Sequence, residues 1–95
     1  MEKVTCRTPA AGRTGVTNIP AWKFDAVRAA ILDALGDGPM LYKHLNEEVA
    51  DRLDADTLAK LGKLGWHVVT VKLELEVRGE IERLDTRGPQ QIRAV

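Results

Sequence analysis

Residues 65–84, GWHVVTVKLELEVRGEIERL, constrain the fold of this chain more than any other stretch. Read as a strand, alternation puts Trp66, Val68, Thr70, Lys72, Glu74 and Glu76 on one face. His67, Val69, Val71, Leu73, Leu75 and Val77 fall on the other, a coherent apolar set. Read as a helix, Val68, Val71 and Leu75 form an i, i+3, i+7 stripe. Gly79 then stands where a helix C-terminus takes a left-handed residue. The residues downstream favour the helix. EIERLD and QQIRAV are short extended runs joined by TRGP, the signature of a β-hairpin after a helix stop.

Upstream, the helical period recurs twice. Asn18 or Ile19 before Pro20 suits a helix start, because the missing proline N–H costs nothing in a first turn. Phe24, Val27, Ile31 and Leu35, with Ala30 and Ala34 between them, then line one face until GDGP stops the helix. After an extended PML, Leu45, Val49 and Leu53 mark a second amphipathic helix, with Lys43, Asn46, Glu47, Glu48 and Asp51 turned elsewhere. DADTLAKLGKLG, carrying Leu58, Leu61 and Leu64, is expected to make only a short helical turn. Residues 1–18 mix Gly, Pro, Thr and Arg without a period and read as an arm or irregular lead-in, leaving residues 19–95 as the domain.

The expected fold class is therefore α+β, mainly α: three helices and a C-terminal β-hairpin, the organisation of a winged helix-turn-helix with the hairpin as wing. Leu75, Glu76, Arg78, Gly79 and Ile81 in LEVRGEIERL resemble the end of the recognition helix and the start of the wing in bacterial winged-helix proteins. With NIPAWKFDAVRAAILDAL at the front, residues 18–95 are similar to a family of small uncharacterised bacterial proteins of this kind. The resemblance implies a fold. It brings no catalytic residues, and winged helices serve DNA binding, RNA binding and protein assembly alike.

Two functions are open to such a chain. In the first, the third helix enters the major groove of double-stranded DNA through His67, Thr70 and Lys72, and the wing supplies Arg83, Arg87 and Arg93 for backbone or minor-groove contact. Lys3, Arg7 and Arg13 would act as a basic arm. In the second, Trp66, Val69, Leu73 and Val77 on the outward side of that helix form a homodimer or protein-partner interface. The resemblance favours the first. Residue chemistry favours the second, because base edges are read by Arg, Lys, Asn and Gln, and this outward side is apolar. A simpler expectation is that Val4, Val16 and Ile19 cover the same face from within the chain, and that Glu82 and Asp85 neutralise the wing arginines.

Composition narrows the classes. Lys plus Arg and Asp plus Glu are 14 each, so no global basic field recommends nucleic acid. The charge is unevenly spread, however: residues 20–61 carry five basic against eight acidic side chains, a net of −3. One cysteine, Cys6, cannot close an intramolecular disulfide or build a zinc site, and His44 and His67 lack partners at ligand spacing, so no metal or other cofactor is expected. Cys6 without a paired His, and AAGRTG without a P-loop lysine, offer no nucleophile or phosphate cradle, so no enzymatic activity is expected. No apolar run reaches membrane-span length and the opening residues show no signal-peptide core, which points to a cytoplasmic protein.

Overall fold

A computed structural model describes residues 2–7, 16–84 and 87–95. The elements run β1 (Lys3–Arg7), β2 (Val16–Pro20), α1 (Ala21–Leu35), β3 (Met40–Leu41), a 3-10 turn (Tyr42–His44), α2 (Leu45–Arg52), α3 (Ala55–Leu61), α4 (Leu64–Arg78), β4 (Ile81–Leu84) and β5 (Gln91–Ala94). The architecture is α+β and mainly helical, with two small antiparallel sheets.

Helix α1 starts just after Pro20 and buries Phe24, Val27, Ala30, Ile31, Ala34 and Leu35, the face its spacing predicts. Helix α2 places Glu47 and Glu48 in its first turn and Arg52 in its last, each complementing the backbone dipole at its own end. It packs Leu45 and Val49 inward, with Leu53 partly buried beside them. The expected short turn after it is a full α-helix, α3, which makes four α-helices rather than three among the described residues. Its cap explains the difference: the Asp54 carboxylate accepts a hydrogen bond from the Thr57 backbone N–H at 2.7 Å, satisfying an otherwise orphaned donor.

The ambiguous run is helical from Leu64 to Arg78. Gly79 closes it at φ +75°, donating to Glu76 O at 3.1 Å, while Glu80 N donates to Leu75 O at 2.9 Å. This paired closure requires the left-handed residue that glycine adopts without steric penalty. Val68, Val71 and Leu75 are fully buried, as the helical stripe predicts. They meet Phe24, Val27 and Ile31 of α1, Leu45 and Val49 of α2, Leu61 of α3 and Ile81 and Ile92 of the C-terminal strands in one core.

That C-terminal pair forms the expected hairpin, in the register Ile81↔Ala94 through Leu84↔Gln91. The extended PML contributes β3, whose Met40 and Leu41 pair with Ile92 and Gln91, so the sheet order is β3-β5-β4. The N-terminal lead-in departs from expectation. Residues 3–7 and 16–20 pair as antiparallel strands, Lys3↔Pro20 through Arg7↔Val16, and the link between them lies outside the described residues. The period is present but short: Val4, Cys6 and Ile19 turn toward the core, while Thr5 and Asn18 face out and hydrogen-bond to one another at 2.7 Å. Five-residue strands divided by a Gly/Pro/Thr-rich stretch carry too few alternations to stand out as a sequence pattern.

Candidate functional site

Helix α4 carries His67, Thr70, Lys72 and the Trp66, Val69, Leu73 and Val77 quartet, and its four sides meet four different environments. The inward side is the aliphatic stripe of Val68, Val71 and Leu75. Both flanks are charged yet buried, and the outward side is apolar yet partly exposed.

On one flank Glu74 is 1% exposed. Its Oε1 accepts from the Arg7 backbone N–H at 2.9 Å and from Arg7 Nε at 3.0 Å. Its Oε2 accepts from Arg7 Nη2 at 2.8 Å and from Arg78 Nε at 2.7 Å. The Arg7 guanidinium is the main reason the carboxyl is held at about 2, well below its usual range; burial opposes this and Arg78 adds to it. Arg78 also lies over the Phe24 ring at 4.7 Å, so the clamp joins β1, α4 and α1. Nearby, burial pushes the Cys6 thiol up. On the same flank His67 is 7% exposed and its Nδ1 sits 2.7 Å from Lys63 O. A carbonyl only accepts, so Nδ1 carries the hydrogen. The imidazole also meets Trp66 edge-on at 4.8 Å.

On the opposite flank Lys72 is 1% exposed, its Nζ 2.7 Å from Glu76 Oε1 and 4.3 Å from the Tyr42 ring centroid. Burial pushes the Lys72 ammonium pKa down, against the pull of its Glu76 partner. Glu76 takes a second cation, Arg83 Nε at 3.2 Å, from β4. This group ties the helix to the sheet.

The side chains expected to face a duplex are therefore dispersed. His67 and Lys72 point into the protein rather than outward. Thr70 is half-buried. Arg83 folds back onto Glu76, Arg93 pairs with Glu82, and Arg87 stands exposed in the β4–β5 connection. Of the basic N-terminal residues, Lys3 is exposed and Arg7 is committed to Glu74, while Arg13, like Asp85, lies outside the described residues. The apolar quartet does share one side of α4: Trp66 is 45% exposed, and Val69, Leu73 and Val77 are half-buried. The N-terminal hairpin fastens to the Glu74 flank; of the residues expected to cover the quartet, Ile19 and Val4 pack into the core and Val16 is 56% exposed.

Sequence reasoning missed both buried charge groups. The pairs Glu74/Arg78 and Lys72/Glu76 stand at i, i+4 and are visible as helix-surface pairs. Their burial is not, because Arg7 lies 67 positions from Glu74 and Tyr42 comes from a separate turn. Among the described residues no cluster of three His, Cys, Asp or Glu side chains could hold a metal ion, and no helix is long and apolar enough to cross a membrane.

No curated protein and no solved structure matches this chain. One family model, described as a family of unknown function, DUF6958, matches residues 3–92, from the first residue of β1 to the middle of β5. The matched span thus includes the clamped N-terminal hairpin, both buried charge groups on α4 and most of the C-terminal sheet, and the chain belongs to the DUF6958 family.

Proposed function

We propose that this chain is a non-enzymatic winged-helix protein that associates with a second copy of itself through the outward side of α4. The winged-helix reading draws support from element order and strand order together. A helix, a short strand, further helices and a terminal hairpin, with the short strand pairing to the last strand, are what that architecture requires, and α4 then stands as its recognition helix.

The observation that carries the functional reading is the Trp66, Val69, Leu73 and Val77 stripe: partly exposed, spaced at 3, 4 and 4 residues, and without a formal charge. Such a stripe is self-complementary when two α4 helices meet antiparallel across a twofold axis, and the balance of 14 basic and 14 acidic side chains removes long-range repulsion between copies. Sedimentation velocity over a concentration series tests it. The parent protein is expected to shift toward dimer with concentration, and Leu73→Glu to remain monomeric with an unchanged circular dichroism spectrum. A parent protein that sediments as a monomer throughout would end this reading.

A second reading, binding to double-stranded DNA, is favoured by one specific feature. Arg83 and Arg93 have side chains more than half exposed and Arg87 is exposed beside them, all on the β4–β5 hairpin. Titration of labelled protein with mixed-sequence duplex at low salt distinguishes the two. Salt-reversible amide shifts on residues 87–93 and on α4 support DNA binding, and silence there removes it.

A further inference from the structure

The N-terminal hairpin carries a sheet of its own. Among the described residues β1 and β2 pair only with each other, apart from β3-β5-β4, and β2 runs straight into α1 at Pro20. One bond fixes the parity of the ladder. Ala21 N donates to Glu2 O at 2.9 Å in line with the register, so Val4↔Ile19 and Cys6↔Thr17 exchange N–H and C=O, while the residues between them turn theirs away from the partner strand. Pro20, with no N–H to give, falls at one of those outward positions, and Arg7 directs its outward N–H to Glu74 Oε1.

The attachment of this sheet to the body is narrow. Val4, Cys6 and Ile19 are the side chains the hairpin adds to the core, packed chiefly against α1 and α4. Among the described residues, the hydrogen bonds from its strands to α4 all end on one carboxylate: Glu74 takes the Arg7 backbone N–H, Nε and Nη2. The rest of the core, from Phe24 in α1 to Ile92 in β5, belongs to the helices and the C-terminal sheet. A two-stranded ribbon has little stability of its own, so these strands keep their pairing only while that apolar bed and that carboxylate hold them.

We propose that the hairpin is a strap latched by Glu74, which lifts from α1 and α4 as one cooperative unit while the four helices and the β3-β5-β4 sheet stay folded. The closed strap shields the Cys6 thiol, which is 3% exposed, and lifting delivers it to solvent. The open state therefore differs from the closed one in two readable ways. Cys6 becomes accessible, and the ladder amides of Val4, Cys6, Thr17 and Ile19 lose their protection together. Neither readout depends on self-association through α4.

The test exposes the full, dilute chain at pH 7 to an excess of an aromatic disulfide reagent and follows amide exchange of the labelled protein alongside. Cys6 is the single cysteine of the sequence, so the thiolate released reports it alone. Cys6 is expected to react through an opening at least about tenfold more populated than the one that frees the buried Val71 and Leu75 amides, and the four ladder amides are expected to share it. Ile92→Val, in a strand that does not pair with the hairpin, should speed Val71 and Leu75 exchange by about two- to tenfold and leave Cys6 labelling unchanged, because β5 stays folded in the open state. Glu74→Gln should speed Cys6 labelling by roughly 30- to 150-fold through loss of the latch. Cys6 labelling no faster than core exchange allows, ladder amides that open independently, or an Ile92→Val variant whose Cys6 accelerates as much as its core would each overturn the proposal.

Discussion

Replacing Glu74 with glutamine keeps the side chain's shape and removes its charge, leaving Arg7 and Arg78 without a counterion at a site that is 1% exposed. The magnitude comes from proton linkage. The carboxyl titrates at about 2 in the folded chain against an ordinary 4.5. A depressed folded value means the unfolded chain takes up the proton first. The stabilisation is therefore complete above the unfolded value and is lost as pH falls through the folded one. At about 1.4 kcal/mol per pH unit, the charge contributes roughly 3 kcal/mol at pH 7, about 1 kcal/mol at pH 3 and little at pH 2. Because the Arg7 side chain is half exposed and solvent screens it, about 2–3 kcal/mol is the expected loss for Glu74→Gln at pH 7. Urea unfolding of parent and variant at pH 7 and pH 3 measures it, since groups common to both proteins cancel in the difference. The gap should shrink by more than half between the two pH values. A loss below about 0.5 kcal/mol at pH 7, typical of a surface substitution, or a loss equal at both pH values, would refute the view that this carboxylate fastens the N-terminal hairpin to α4.

The second buried pair responds differently. Lys72→Met is expected to cost about 1–3 kcal/mol, since Glu76 keeps only the partly solvated Arg83. Lys72→Met with Glu76→Leu should recover most of that loss by removing both charges, and urea midpoints showing the double variant no more stable than the single would oppose this account. Gly79→Ala meets no atom within 4 Å of the new Cβ but must hold φ +75°, so a loss of roughly 1–2 kcal/mol in chemical unfolding is expected from backbone strain alone.

Much of the fold was legible along the chain. The α1 face, the helix in residues 66–78, its glycine stop and the hairpin after it each rest on contacts between near neighbours, which a period or a turn residue records directly. Even the bias of α4 was readable, since Val68, Val71 and Leu75 lie on the buried arc. The site was less so. A helical wheel gives directions, but not which directions will be covered. Side-chain chemistry offers Lys72 and His67 to a duplex, but both are enclosed because Tyr42 and the Lys63 carbonyl receive them. Glu74, a helix-surface charge by its spacing from Arg78, is likewise covered by Arg7.

The sequence by itself determined the buried face of α1, the helical state of the run before Gly79 and its glycine stop, because glycines and apolar spacing act within a few residues of one another. It determined too that the side of α4 opposite the Val68, Val71 and Leu75 stripe would be apolar. Only the tertiary structure decided that the first residues form a hairpin rather than an arm. A two-stranded ribbon is stable only when something packs against it, and α4 supplies both the apolar bed and the carboxylate. The same long-range packing decided which charges are enclosed. A charge can be buried only where partners from distant positions converge on it, and no local pattern encodes that convergence.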